Sequence, residues 1–485
     1  MNRVLCGRVG LALVLTAGLL AGGGPASGAA PRAAAVTGGD WPAYLHNAAH
    51  SSASFGATAI TPANAASLTP AWTFTLPAVG GLPDAFEASP TVSGGRVYIG
   101  GAVGGMLYAL DLATGGMVWQ RQLDKAGTGQ CKAKAIEATA TVAPAPSTGT
   151  PTVYAAGARR IYALNAATGA VQWQNTVVPQ QAANTTDYYN WSSPTVANGQ
   201  VYMGVSSRCD RPLVRGGVQS FSQATGALLH RYWTVPAGAI GGSVWSSVAV
   251  KGSSAWVTTG NPDPTGTAVD DTYSIVRLNA STLAKQEKWT VSLPIDADLD
   301  FGSSPTLWKA TVAGVATPLV GACNKNGRFY AWRQTNLAAG PVWSMQVGAQ
   351  SGTGEGHCLP SAVWDYQHVR LFVAANGTTL GTTRFPGAVR SLDPATGAVR
   401  WATGLSCTPF GSPSLAAATG LVAVSTYGPC ATGAVPQTYL LNAATGAIVH
   451  TLPLGGPAFP QPVFAGDLLL VGDGSGKLVA YKPAG

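Results

Sequence analysis

Three aspartates at alternate positions, Asp296, Asp298 and Asp300, precede the step Phe301-Gly-Ser-Ser-Pro305, and Lys325 and Asn326 follow in the stretch GACNKNG. Asn261 in TTGNPDP, Asn376 in VAANG and Glu87 in FEASP occupy similar places, each beside a glycine, a proline or a Ser-Pro step. Carboxylate and amide oxygens are the ligands a hard cation takes, and a carboxylate can also remove a proton from a substrate hydroxyl. Any one of these residues is equally explained by turn chemistry, since Asp and Asn stabilise turns by bonding their own backbone. Chemistry therefore requires that the fold bring them to one place. Other chemistries are excluded more directly. The six histidines (His46, His50, His230, His357, His368, His450) form no nucleophile-and-base set, and no Cys spacing matches C-x-x-C, C-x-x-C-H or a zinc site.

The elements that must position these residues repeat along the chain. LYALDLATGGMVW (107–119), IYALNAATGAVQW (161–173), VQSFSQATGALLH (218–230), VRSLDPATGAVRW (389–401) and YLLNAATGAIVH (439–450) share one pattern. A repeat of roughly 50 residues marks a repeat architecture. Each copy reads as an alternating apolar strand, a turn closed by the Gly of Ala-Thr-Gly, and a strand carrying a large ring, with His230 and His450 replacing the aromatic as packing residues. Upstream of the copies stand FEASPTVSGGRVYIGG (86–101), WSSPTVANGQVYMGV (191–205), VWSSVAVKGSSAWVTTG (244–260) and DFGSSPTLWKATVAGVATPLVGA (300–322), each a Ser-rich entry followed by a hairpin. Four strands per unit at this period predict propeller blades, with first strands near Ala88, Ala138, Ser192, Trp245, Ser303, Pro360, Ser412 and Pro462. The expected fold is all-β, an eight-bladed propeller of four-stranded antiparallel blades. The last unit stops after its third strand, and LTPAWTFTLP (68–77), with Trp72 at the aromatic position, is expected to supply the fourth and close the ring.

The chain of 485 residues divides on this reading into a signal peptide (1–30), an extended segment (31–66) and one propeller (67–485). Arg3 and Arg8 before VGLALVLTAGLLAGGG, then small residues to Ala30, have the layout of a secretory leader and predict a secreted protein without a stable membrane anchor. Six cysteines follow the leader. Cys131, Cys358 and Cys407 precede first strands and Cys209, Cys323 and Cys430 follow second strands, loop types that share a face of the disc, so the expected pairs are Cys131–Cys209, Cys323–Cys358 and Cys407–Cys430. The net charge of +8 comes from scattered Lys and Arg, with no stacked-aromatic RNA motif, which argues against a nucleic-acid partner. The same loop geometry places Glu87, Asn261, Asp296, Asp298, Asp300, Lys325, Asn326 and Asn376 around one mouth of the channel.

The blade pattern, the entry WPAYLHNAAH (41–50), and above all GGSVWSSVAVKGSSAWVTTGN (241–261), DADLDFGSSPTL (296–307) and GACNKNGRFYAW (321–332), resemble the pyrroloquinoline-quinone (PQQ) propellers, especially the polyvinyl alcohol dehydrogenase branch. The resemblance implies PQQ and Ca²⁺ as cofactors. It implies Trp245 under the quinone ring, with Ser243, Glu87 and Asn376 as further cofactor contacts. Asn261 and Asp300 are the implied metal ligands, Asp300 the implied base, and Lys325 stands beside the reactive quinone oxygen. The chain departs from the family pattern in having no adjacent Cys pair, no haem motif, Glu137 where the methanol-oxidising branch has arginine, and Asp210 as the only carboxylate near that branch's calcium-binding glutamate. Two readings stand. One is a secreted quinoprotein that oxidises a small or polymeric alcohol; the other is a non-catalytic propeller that binds protein or polysaccharide.

Overall fold

The computed structural model describes residues 39–125, 134–177, 187–266, 269–294, 298–349 and 358–484. Eight antiparallel sheets, each built around four strands, follow one another along the chain. Blade one is typical: Thr91–Ser93, Arg96–Gly100, Met106–Asp111 and Met117–Gln122, paired in order. Its two middle strands are almost wholly buried and its outer strand is mostly exposed. The inner strands are therefore apolar on both faces and the outer one is not. The core lies between blades: Tyr98, Leu107 and Ala109 of blade one pack on Ile136, Val153, Tyr162 and Leu164 of blade two. The eighth sheet combines Val463–Ala465, Leu468–Gly472 and Lys477–Pro483 with the N-terminal strand Leu68–Thr75, in the expected closure. Deleting residues 68–77 is expected to lower the melting temperature sharply and broaden the transition in calorimetry; an unchanged melting curve would refute the closure.

The Ala-Thr-Gly turns have a physical cause that spans two blades. The side-chain oxygen of Asp111, Asn165, Asp393 and Asn442 accepts the two N–H groups that follow in the turn. The turn glycines Gly115, Gly169, Gly226, Gly397 and Gly446 have φ between 68° and 76°. A Cβ at any of them would lie 2.4–2.6 Å from the indole of the preceding blade's outer strand. Each indole, in turn, donates its N–H to a carbonyl in that turn: Trp72 to Leu112, Trp119 to Ala166, Trp173 to Gln223, Trp343 to Pro394 and Trp401 to Ala443, at 2.9–3.2 Å. The glycine thus serves the left-handed turn and the neighbour's tryptophan at once. Trp72, on the closing strand, makes this contact with blade one and so joins the last blade to the first.

The segment before the closing strand runs across the innermost strands. Carbonyls of Trp41, Pro42, Ala48, Ala49, Ser51 and Ser52 accept N–H groups from Val92, Val142, Val250, Leu307, Trp364 and Leu415, the second residue of the first strand in six blades. Ala53–Ser54 adds a short parallel pairing with Ser414–Ala416. The axis-facing strand edges of six of the eight blades are met by this one stretch, which acts as a plug.

Candidate functional site

Two rings of side chains, one member from each blade, build the axial pocket. The lower ring is Ser89, Thr139, Ser193, Ser247, Ser304, Ser361, Ser412 and Gln461. The Ser or Thr hydroxyl of one blade accepts the N–H of the ring residue in the blade before it, at 2.8–3.0 Å, for seven of the eight junctions. The recurring Ser ahead of the first strand is thus an interblade tie as well as a strand opener. Two residues earlier in each blade stand Glu87, Glu137, Trp191, Trp245, Gly302, Leu359, Phe410 and Phe459, and all eight line the same cavity. Tyr44 of the plug forms its floor, its hydroxyl 3.5 Å from the Ser412 hydroxyl and its phenol pushed up by burial.

The upper ring is uneven. On blades one and two it is acidic, but each carboxylate has a cation: Glu87 pairs with Lys134, and Glu137 with Arg208 at 3.0 Å. The Arg208 guanidinium also lies over Trp191, 4.4 Å from the ring centroid. On blades three to eight the ring is aromatic or aliphatic apart from Gly302. That gap admits the Trp245 indole, since a Cβ on Gly302 would fall 2.6 Å from its Cη2. The free volume between these groups is about 60 Å³. Pockets for drug-sized ligands run to roughly 300–1,000 Å³. A ligand of that size therefore enters only with rearrangement at the mouth.

Behind Trp245 lies a charged cluster. The indole Nε1 donates to Asp300 Oδ2 at 2.8 Å, and the Lys325 ammonium sits 2.7 Å from Asp300 Oδ1, 2.6 Å from Asp298 Oδ1 and 5.2 Å from the centroid of the Trp245 ring. Asn261 donates its amide N–H groups to Asp210 at 3.0 Å and Asp298 at 2.9 Å. Its Oδ1 is buried without a hydrogen-bond donor. Asp300 is only 2% exposed. Burial, the largest influence, outweighs the Lys325 ammonium and, with Asp298 adding to it, pushes the Asp300 carboxyl up to about 6. Burial by itself would lower Lys325, but Asp300 and Asp298 together hold it above the ordinary lysine range, so it stays charged.

Trp245, Asn261, Asp300 and Lys325 therefore meet in one cluster, and Glu87 shares the cavity with Trp245. Asn261, Asp300 and Lys325 stand behind Trp245 and do not line that cavity, and neither do Ser243 and Asn376. The Ser243 hydroxyl accepts the Ser207 N–H at 3.1 Å and braces the loop that carries Trp245, while Asn376 is buried against Gly348 between blades five and six. Asp296 lies outside the described residues. Tyr44, Trp191, Phe410 and Phe459 were not expected. Aligning the blades on their Ser-Pro steps would have found three of them, because WSSP at 191 and WSSV at 245 hold the same register as FGSP at 410. The disulfides Cys323–Cys358 and Cys407–Cys430 are present as expected, and the pairing expected for Cys131 falls on a residue outside the described ones.

For a quinone the residue types fit: a flat indole wall seated in the Gly302 gap, with a carboxylate and a cation behind it. For a divalent cation the fit is partial. Asn261 Oδ1 is an unsatisfied acceptor, yet among the described residues no three His, Cys, Asp or Glu side chains converge closely enough to hold a metal, and Lys325 bridges Asp298 and Asp300.

Known proteins place this architecture. The family model for the glucose/ethanol/alcohol dehydrogenase β-propeller domain matches residues 41–356, and that for the outer membrane protein assembly factor BamB matches residues 386–485. The polyvinylalcohol dehydrogenase of Sphingopyxis sp. (strain 113P3) is 24% identical over 321 residues, which take in 56% of this chain and 46% of that protein. The chain thus spans just under half the length of this relative. Quinohemoprotein alcohol dehydrogenase from Comamonas testosteroni superposes with a TM-score of 0.74 at 18% identity, covering 92% of this chain and 81% of that one. A europium-containing methanol dehydrogenase also gives 0.74, at 17% identity, over 92% of this chain and 98% of its own. At such identities the structures speak for the fold alone, while the family model covers well over half the sequence. The chain belongs to the PQQ-type glucose/ethanol/alcohol dehydrogenase β-propeller family.

Proposed function

We propose that this protein is a quinoprotein oxidoreductase that oxidises an alcohol, with PQQ held against Trp245. The observation that carries the reading is Asp300: a buried carboxyl directly behind the Trp245 wall of the axial pocket, fixed between the Trp245 indole N–H and the Lys325 ammonium, with its pKa raised to about 6. A base of that strength is ionised near neutral pH yet still takes a proton readily. When bound, PQQ would supply a quinone that accepts the hydride equivalent, chemistry that belongs to the cofactor. Trp245, seated in the Gly302 gap, would set the plane of the ligand. Asp300 would accept the alcohol proton. Lys325, fixed by Asp298 and Asp300, would present positive charge next to that ligand. Glu87 would contact the cofactor from blade one, and Ser243 and Asn376 would act through the loops they brace. Asn261 and Asp300 would be the first ligands of a calcium ion, and no step is assigned to it. The polyvinylalcohol dehydrogenase relative supports an alcohol, small or polymeric, as substrate.

The charged, apolar and small-residue runs of the N-terminus support export. Two disulfides suit an oxidising compartment. Among the described residues no helix is long and apolar enough to cross a membrane.

A second reading, a non-catalytic scaffold for protein or polysaccharide, is favoured by one observation: the cavity holds about 60 Å³ and its two glutamates already have cations. Titrating the purified protein with PQQ, with and without Ca²⁺, separates the two. The enzyme reading expects saturable quenching of tryptophan fluorescence and dye-linked alcohol oxidation. Absence of both would sink it, and quenching without turnover would leave a cofactor-holding module.

A further inference from the structure

Arg390, on the third strand of blade six (Thr383–Leu392), is 4% exposed and has no acidic partner among the described residues. Its two Nη groups donate to neutral oxygens, the Val347 carbonyl and the Thr378 hydroxyl. A guanidinium has five N–H donors, so this pair leaves most of its hydrogen-bonding capacity and all of its charge uncompensated. Burying an unpaired ion costs several kcal/mol even after relaxation. Burial alone pulls Arg390 down to about 10, which still leaves it charged at neutral pH.

The side chain opens on a cleft of about 530 Å³ between blades five and six that shares no lining residue with the axial pocket around Trp245. Arg384, exposed on the same strand, gives the cleft a second cation, and Thr378, Thr379 and Gln346 add polar groups. The remaining wall is apolar, with Met345, Leu380 and Val399. The cleft exists because the hairpin of blade six is long: Arg370–Leu380 and Thr383–Leu392 run 11 and 10 residues, where the corresponding strands of blade one have 5 and 6.

We infer that this cleft is a binding site for a small organic carboxylate, its carboxylate on the free edge of Arg390 with Arg384 at the entrance and its carbon skeleton against Met345, Leu380 and Val399. A planar guanidinium matches a carboxylate in two parallel bonds. The volume and apolar wall suit an organic anion better than an inorganic one. This site stands independently of the quinone reading.

The test is calorimetric titration with benzoate and succinate at constant ionic strength, with inorganic phosphate as the comparison. Wild-type protein is expected to bind a carboxylate saturably. Arg390→Gln is expected to weaken binding at least tenfold and Arg384→Gln severalfold. Should Arg390→Gln fail to fold, Arg390→Lys serves instead, since it keeps the charge and loses the fork. No saturable binding, or equal affinity in wild type and variants, overturns the site; saturation by phosphate alone overturns the carboxylate assignment.

Discussion

An Asp300→Asn variant, loaded with PQQ, is expected to lose alcohol turnover by a factor of about 10²–10⁴, the usual contribution of a positioned general base. Quinone-dependent quenching of Trp245 should persist. The amide oxygen of asparagine can still accept the indole N–H that Asp300 Oδ2 accepts at 2.8 Å, so the ring keeps its seat over Gly302. Lys325 keeps Asp298 as a partner at 2.6 Å. The substitution removes the proton acceptor and turns an amide NH2 toward the ammonium that Asp300 Oδ1 now meets at 2.7 Å, which leaves Lys325 on Asp298 alone. Full activity in a variant that still binds the quinone would show that another group takes the proton.

The same residue sets a pH dependence. With Asp300 titrating at about 6, turnover should fall about tenfold per pH unit below that value and level off above it. Lys325 opposes the effect of burial on this carboxyl. A Lys325→Met variant removes that opposition, so the acidic limb should move to higher pH. A limb that stayed in place would mean that Asp300 is not the group observed. The linkage for stability runs in the opposite sense. Because the folded-state pKa lies above the unfolded one, the native state binds the extra proton between about pH 4 and 6, and this residue's contribution to stability is lost as pH rises through that window.

How far the sequence carries such arguments depends on the range of the interaction. Blade number and strand order could be read because each follows from alternation and turn residues within about 50 positions, and the closing role of Leu68–Thr75 because the last unit lacks a fourth strand that this segment matches. The meeting of Trp245, Asn261, Asp300 and Lys325 could be anticipated once strand ends were assigned to a face. Their partners could not. That Lys325 bridges two aspartates, or that Glu87 and Glu137 are neutralised by Lys134 and Arg208, depends on side-chain directions that periodicity does not encode. Asn376 shows the limit on the other side: expected at a strand end, it lies inside the long strand Arg370–Leu380, opposite Gly387, and does not line the axial cavity. The Ser-Pro signal by itself marks a strand opener, whereas the ring of hydroxyl acceptors forms only when eight blades surround one axis.

The plug was the least visible element, and its removal should have the largest effect on stability. Residues 41–54 carry no strand-like alternation, and four of them, Leu45, His46, His50 and Ser52, have φ between 53° and 75°, unfavourable for side-chain-bearing residues. Their conformation is imposed from outside: Trp41 and Leu45 are fully buried, His50 Nδ1 lies 2.8 Å from the Pro305 carbonyl, and six blades donate N–H groups to the segment's carbonyls. Deleting residues 39–55 orphans those six donors. At about 1 kcal/mol each after water enters the channel, and about 1 °C per kcal/mol for a propeller of about 420 residues, the melting temperature should drop by roughly 5–10 °C. The deletion also removes Tyr44, the floor of the pocket, so quinone quenching should vanish, and a synthetic peptide of residues 39–55 added in trans should restore part of both. Acid should loosen the same element. Burial lowers His46 and His50 to about 4, so the unfolded chain takes up protons that the native one refuses, and the stability these residues contribute above pH 6.5 is lost as pH falls toward 4. Two histidines outweigh the single opposing carboxyl at Asp300, and replacing both with glutamine should flatten the acid limb. A deletion variant that melted with the wild type would show that the inner strand edges are satisfied by water and that the segment is dispensable.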